Sequence, residues 1–293
     1  MNREKLIVNL VDKSVLADSF IESIMRCSNN PPGSRTPTKI EYVHNQSKWG
    51  GVSLFTDKVL HMAPNIDSPF KAAILIEPRE LIPSMYQTIL QYSSYYDLIL
   101  TYDEELLCKL SHKTEFMCPD SSVHTEEVCK ISEKTKLLSM VYSNKQYMSG
   151  HKLRHVIAKD LLPKIGYHKM SLYGTGCGKP ILTKAEGTVD YMFQMAIENS
   201  QKQNYFSDKI LDCVACGTVP IYWGCENIGD FFDKRGIIQF NTLDELTNIL
   251  PTLSREKYEQ MKPYIKTNYE IFMKNYFRYD DLMCEKILKF YKI

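Results

Sequence analysis

Residues 191–224 read YMFQMAIENSQKQNYFSDKILDCVACGTVPIYWG and contain two apolar runs on either side of one helical pattern. The run Tyr191–Ile197 predicts a buried strand, and Ser207–Cys216 carries apolar residues at helical spacing. Gly217 can take the left-handed conformation that ends a helix, and Thr218–Tyr222 then predicts a second buried strand. A strand, a helix and a strand in succession predict two parallel strands joined by a crossover helix.

The same alternation continues on both sides, interrupted by a polar stretch from Cys118 to Thr135 that we interpret as a linker. Before it, strands are predicted at Leu6–Val11, Lys39–His44, Lys71–Ile76 and Leu98–Tyr102, and helices at Ser14–Arg26, Leu81–Tyr92 and Glu104–Leu110. After it, a strand is predicted at Leu137–Tyr142, and helices at Lys152–Leu162, Leu243–Leu250, Arg255–Lys274 and Asp280–Tyr291.

This order predicts an α/β chain with two Rossmann-like, doubly wound domains, residues 1–130 and 131–275. The remaining residues, 276–293, form a helix that could pack back on the N-terminal domain. Doubly wound sheets bind ligands at the carboxyl ends of their strands, so we expect the site in a cleft that both domains face.

The composition is that of an ordinary globular protein: of the 293 residues, 44% are hydrophobic and 24% are charged, and the net charge is +1. This balance gives no field that would attract nucleic acid or an anionic membrane, so we expect neither partner. No apolar run approaches the roughly 18 residues of a membrane span, and the N-terminus does not read as a signal peptide. Nine cysteines are an odd number that favours free thiols. We therefore expect a cytoplasmic protein.

The predicted helix that begins at Ser207 has the features of an anion site. Ser207 is a plausible N-cap whose hydroxyl can accept a bond from a first-turn amide. The free amides and the macrodipole at a helix start favour a bound anion. Lys209 lies in the first turn, where a ligand phosphate would explain a cation, although a solvated lysine is the other interpretation. Gly224, at the end of the following strand, would let the backbone approach a ligand, or would simply form a turn.

These residues resemble the signature of glycosyltransferase family 10, the α-1,3/4-fucosyltransferases. The matching positions are Glu198-Asn199-Ser200, a five-residue interval to Asn204, then Tyr205, Asp208-Lys209 and the run from Gly217 to Gly224. The resemblance implies a GT-B-type fold with two Rossmann-like domains. It also implies metal-independent, inverting transfer of fucose from GDP-fucose to an oligosaccharide or glycoconjugate acceptor.

The resemblance implies a donor-binding set made up of Arg154, Asn199, Tyr205, Asp208, Lys209 and, at the strand end, Gly224. Lys209 corresponds to a lysine that contacts the donor diphosphate. Asp208 stands where the family has a glutamate, and its shorter reach opens the alternative of another nucleotide sugar such as GDP-mannose. Arg154 echoes a diphosphate-binding arginine on the first helix of the donor domain, with Lys152 as a competing candidate.

Inverting transfer needs a base that deprotonates the acceptor hydroxyl. The resemblance places this base after a strand of the first domain, where the chain has Glu77. Pro78 would hold Glu77 in an extended conformation, which helps to orient a catalytic side chain. The plainer interpretation is an exposed carboxylate at a strand end.

No metal ligand set is evident in the sequence. His151 and His155 are four residues apart on a predicted helix without a third ligand, so we interpret them as a pair on the helix surface. We expect no cofactor beyond the GDP-sugar donor and no divalent metal. A protein of another class, a non-catalytic module that binds a nucleotide or a glycan, is the remaining alternative.

Overall fold

A computed structural model of the chain describes residues 5–12, 37–119 and 128–292. The chain divides into two compact units, the first made of Met1–Asp120 with Arg278–Ile293 and the second of Ser121–Phe277. The strands are β1 (Leu6–Val11), β2 (Ile40–His44), β3 (Val52–Thr56), β4 (Phe70–Ile74), β5 (Leu98–Thr101), β6 (Thr114–Phe116), β7 (Lys136–Val141), β8 (Met170–Tyr173), β9 (Tyr191–Ile197), β10 (Val219–Trp223) and β11 (Ile238–Gln239). The helices are α1 (Pro83–Gln91), α2 (Glu104–Lys109), α3 (Ser149–Val156), α4 (Leu162–Lys164), α5 (Asp208–Ala215), α6 (Leu243–Ile249), α7 (Arg255–Asn275) and α8 (Tyr279–Phe290).

The first unit is built on a parallel sheet in the order β2-β1-β3-β4-β5-β6. One face packs against α8, whose Met283 and Ile287 join the core that contains Val8. The other face packs against α1 through Tyr86 and Ile89. Both faces are therefore covered, as a parallel sheet requires.

Helix α8 belongs to the first unit although it comes at the end of the chain. The carboxylate of Asp281 accepts bonds from the backbone N–H groups of Thr38 and Lys39, each at 2.8 Å, and from the Thr38 hydroxyl at 2.7 Å. These bonds connect the start of α8 to the residues that precede β2.

The second unit has a parallel sheet in the order β11-β10-β9-β7-β8. Every residue of β9 is buried, in agreement with a sequence in which only Gln194 is polar. Gly217, with φ +67°, ends α5. The N–H of Thr218 bonds to the carbonyl of Cys213 at 2.9 Å, and that of Gly217 to Val214 at 3.2 Å. This is the glycine-terminated helix end that the sequence predicts.

Some predictions were wrong or incomplete. Strand β3, buried along its whole length, lies in a segment without a predicted element. The predicted linker is not solvated up to residue 135, because Cys129 and Lys134 are each 2% exposed. Lys134 donates from Nζ to the carbonyl of Cys216 at 2.6 Å. The predicted helix Ser14–Arg26 lies outside the described residues. None of the helices in the described ranges combines the length and the apolar character of a bilayer-crossing segment.

Candidate functional site

The strand order of the second unit creates a position for a ligand beside β7 and β9. The chain goes from β7 outwards to β8 and then returns to β9 on the other side of β7. The connections that follow β7 and β9 therefore leave the sheet in opposite directions. A crevice at the carboxyl ends of two such strands is the usual ligand site of a doubly wound sheet. In this chain, the start of α3 meets the residues that follow β9 at this end of the sheet, where the N–H of Gly150 bonds to the carbonyl of Asn199.

Glu198, the first residue after β9, is fully buried at the centre of this corner. Its Oε1 accepts the backbone N–H of Ser207 at 2.9 Å, and its Oε2 accepts the Ser207 hydroxyl at 2.5 Å. Lys209 Nζ lies 3.6 Å from Oε2. A Cβ at Gly224 would lie 2.4 Å from Cγ of Glu198. The absence of a side chain at 224 thus makes room for Glu198.

Ser207 is the N-cap residue of α5, as predicted, but its hydroxyl accepts no bond from a first-turn amide, so that part of the prediction was wrong. The hydroxyl donates to Glu198 instead, because the buried carboxylate is the stronger acceptor. Lys209 Nζ donates to the Ser207 Oγ at 2.9 Å and to Asp208 Oδ1 at 2.8 Å. Asp208 also forms an ion pair with Lys184. Two carboxylates therefore offset the cation in the first turn of the helix.

Arg154 on α3 is buried against the end of β9. Its Nε and Nη2 donate to the Ile197 carbonyl at 3.2 and 2.9 Å, and Nη2 donates to Asn199 Oδ1 at 2.8 Å. Burial lowers the pKa of Arg154 to about 10, while Glu198 and Tyr205 act in the opposite direction. The structure thus brings Arg154 and Asn199 together.

Two other proposed donor-site positions differ in their exposure. Tyr205 is only 2% exposed, and its phenol acts electrostatically on Arg154. Lys152, the alternative to Arg154, is exposed. Of these two basic residues of α3, Arg154 is the one that hydrogen-bonds to the end of β9 in the described part of the chain.

Gly150 at the start of α3 is a site residue that the sequence reasoning missed. Its N–H donates to the carbonyl of Asn199 at 3.0 Å, and a Cβ at this position would lie 1.7 Å from the carbonyl oxygen of Glu198. Helix α3 therefore touches the loop after β9 through the backbone of Gly150 as well as through the side chain of Arg154. Glu198 is part of the signature but was given no role, although a charged residue directly after a strand with six apolar residues out of seven is a visible signal.

Positive charge converges on this corner. Burial lowers the pKa of His151 to about 4, and Arg154, Lys145 and Lys209 lower it further in that order. Nδ1 of His151 accepts the backbone N–H of Met148 at 3.2 Å. His151 and His155 are 6% and 8% exposed, so their interpretation as a pair on the helix surface was wrong.

The depressed pKa of His151 makes the stability of the second unit sensitive to acid. The imidazole has an ordinary pKa of 6.5 and a folded pKa of about 4, so the unfolded chain binds the proton first. The contribution of the neutral, buried His151 to the free energy of unfolding is fully present above pH 6.5. It is lost as the pH falls towards 4. Urea unfolding at pH 7 and 4.5 should show that His151→Gln abolishes about 2 kcal/mol of this loss. The exposed His168→Gln is the control, and equal acid sensitivity in wild type and His151→Gln would contradict the assignment.

Glu77, the proposed base, lies in the first unit, three residues beyond the end of β4. Its side chain is half-buried. Its backbone is held on both sides, since its N–H donates to Asp57 Oδ2 at 3.3 Å and its carbonyl accepts the Tyr86 hydroxyl at 2.8 Å. Within residues 5–12, 37–119 and 128–292, the Glu77 carboxylate has no hydrogen bond or ion pair. The described residues also contain no group of three or more side chains suited to hold a metal ion.

Solved structures define the class of this fold. A crystal structure of an α1,3-fucosyltransferase with GDP-fucose matches with a TM-score of 0.56 and 14% identity, over 94% of this chain and 91% of that one. The apo structure of OtsA matches with a TM-score of 0.60 and 10% identity, over 99% and 100%. With parallel sheets in both units, the chain has the GT-B glycosyltransferase fold.

The chain belongs to glycosyltransferase family 10, because the family model for the fucosyltransferase C-terminal region matches residues 131–289. An α-(1,3)-fucosyltransferase of Helicobacter pylori is 30% identical over 123 residues, which are 39% of this chain and 25% of that protein. An α-(1,4)-fucosyltransferase of Arabidopsis thaliana is 36% identical over 59 residues, 19% of this chain and 15% of that protein. The matches thus span a quarter or less of these relatives.

Proposed function

We propose that this protein is an inverting glycosyltransferase that moves fucose from GDP-fucose to a hydroxyl of a glycan acceptor without a divalent metal. The observation that carries the proposal is the convergence of Arg154, Lys145 and Lys209 around His151. It occurs where a doubly wound sheet binds ligands, in the part of the chain that matches the fucosyltransferase family.

The charges of this corner suit a diphosphate. Four basic side chains, the three just named and Lys184, stand against the carboxylates of Glu198 and Asp208, which leaves a positive excess. Fixed cations beside the departing diphosphate can stabilise the charge that develops on it, which is the task a metal performs elsewhere. In this proposal Lys209 and Arg154 act on the diphosphate, while Asn199, Tyr205, Asp208 and Gly224 form the rest of the donor pocket.

Glu77 is proposed as the base that accepts the proton of the acceptor hydroxyl. Its carboxylate has no partner in the described residues, so it can accept this proton without breaking an existing bond. The acceptor is proposed to be an oligosaccharide or a glycoconjugate.

The identity of the sugar depends on Asp208, which is engaged by Lys184 and Lys209. GDP release should therefore be measured with GDP-fucose and GDP-mannose over a panel of acceptors. We expect acceptor-dependent release from GDP-fucose. Faster GDP release from GDP-mannose would identify GDP-mannose as the donor. GDP binding without GDP release from either nucleotide sugar would indicate a non-catalytic module.

Replacement of Lys209 tests the donor site itself. We expect Lys209→Met to weaken GDP binding about tenfold, because one charge-assisted contact to phosphate is lost. Titration calorimetry gives the dissociation constant, and Lys152→Met serves as an exposed control. Unchanged affinity in Lys209→Met, or a loss in Lys152→Met alone, would contradict the proposed position of the diphosphate.

A further inference from the structure

We infer that Asp57 is a positioning residue for Glu77: its carboxylate replaces the missing strand partner of the Glu77 peptide and holds it at the end of β4. This inference rests on the proposed role of Glu77 as the base. Asp57 itself need not touch the acceptor.

The geometry begins with the register of two neighbouring strands. Thr56, the last residue of β3, lies opposite Ile74, the last residue of β4. The N–H of Leu75 still bonds to the carbonyl of Leu100 on β5, at 2.9 Å. The next two N–H groups bond to Asp57 instead, that of Ile76 to Oδ1 at 2.9 Å and that of Glu77 to Oδ2 at 3.3 Å.

A carboxylate has two acceptor oxygens and can therefore give each of two successive N–H groups its own oxygen. Pro78 follows and has no N–H, so the two bonds to Asp57 are the last amide bonds of this strand end. The other end of the Glu77 residue is held by Tyr86, whose hydroxyl donates to the Glu77 carbonyl at 2.8 Å. Tyr86 lies under the Arg79 guanidinium, 4.5 Å from the ring centre. The Glu77 backbone is thus bound on both sides, while its carboxylate has no hydrogen-bond or ion-pair partner in the part of the chain that the structure describes.

The electrostatics of Asp57 make the proposed role dependent on pH. Burial raises the pKa of Asp57 to about 7; the N–H groups of Ile76 and Glu77 oppose the rise, and the charges of Glu77 and Asp12 add to it. The titratable groups that act on Asp57 are Asp12 after β1, Glu77 after β4 and Tyr86 on α1. A protonated carboxyl has an O–H donor in place of one acceptor, so the longer bond, to Glu77, is the one we expect to be lost.

The test compares transfer by wild type, D57N, Y86F and E77Q between pH 5.5 and 9. In D57N, we expect kcat to fall about 10–100-fold with an unchanged KM for GDP-fucose, because the amide has one acceptor oxygen and Glu77 is less well placed. In the wild type, we expect kcat to fall as the pH drops below about 7, and this acid limb of the pH profile should be absent in D57N. Y86F keeps the ring and removes the bond to the Glu77 carbonyl together with the contact to the Tyr102 hydroxyl, so it should lower kcat while retaining that limb.

The outcomes separate the two ideas. Wild-type turnover by E77Q would overturn the base assignment and the inference with it. An inactive E77Q together with a D57N that keeps both the wild-type kcat and the acid limb would overturn only the role of Asp57. If D57N does not fold, as judged by its thermal transition, wild-type kcat in Y86F or a wild-type profile without an acid limb near pH 7 would overturn the inference.

Discussion

Replacement of Glu77 by glutamine is expected to lower kcat for fucose transfer by about 10²–10⁴-fold, the usual contribution of a general base. The amide keeps the size of the side chain but cannot accept the proton of the acceptor hydroxyl. Because Glu77 lies in the first unit and GDP is proposed to bind the second, the dissociation constant of GDP should stay at its wild-type value. Steady-state GDP release and calorimetry measure the two quantities separately.

Glu80→Gln is the matched control, since Glu80 is an exposed glutamate three residues further along the chain. It should transfer fucose at the wild-type rate. Equal turnover in Glu77→Gln and wild type would remove Glu77 from the mechanism, and a loss of GDP affinity in Glu77→Gln would show that the substitution acts beyond proton transfer.

Gly150→Ala should lower the free energy of unfolding by about 3 kcal/mol, the upper part of the range for overpacking. The new Cβ would lie 1.7 Å from the Glu198 carbonyl oxygen and 2.8 Å from its carbonyl carbon, and backbone atoms cannot turn aside as a side chain can. Alanine is favoured over glycine in a helix by about 1 kcal/mol, so intrinsic propensity predicts the opposite sign. Urea unfolding decides between the two, and GDP binding should weaken as the corner is displaced.

The control for this substitution is Gly50→Ala. Nothing lies within 4 Å of a Cβ at Gly50, so its unfolding free energy should change by less than about 0.5 kcal/mol. If Gly150→Ala is as stable as wild type, α3 does not approach β9 as closely as described.

The elements around the signature were predictable because their pattern is local. The six apolar residues among the seven of β9, and the glycine that ends α5, indicate a strand and a helix end wherever they occur in the chain. Strand β3 was missed because it follows a polar segment that could not be interpreted from the sequence. Its burial comes from its neighbours β1 and β4, which the sequence of β3 does not reveal.

In the candidate site, too, some residues could be predicted from the sequence and others could not. The resemblance named Arg154, Asn199 and Lys209, and the structure brings them to one corner of the second unit. It did not name Gly150, whose neighbour Glu198 is 48 residues away in the chain, or Asp57, whose partner Glu77 is 20 residues away.

The sequence by itself determined the alternation of strands and helices, the family and the identities of the charged residues, because periodicity and motif spacing are properties of the chain alone. Only the tertiary structure decided the order of the strands in each sheet and which carboxylate meets which amide or cation. The hydroxyl of Ser207 illustrates the reason: a free helix end would attract it, but the buried carboxylate of Glu198 is a stronger acceptor. That competition exists only once β9 and α5 are packed together.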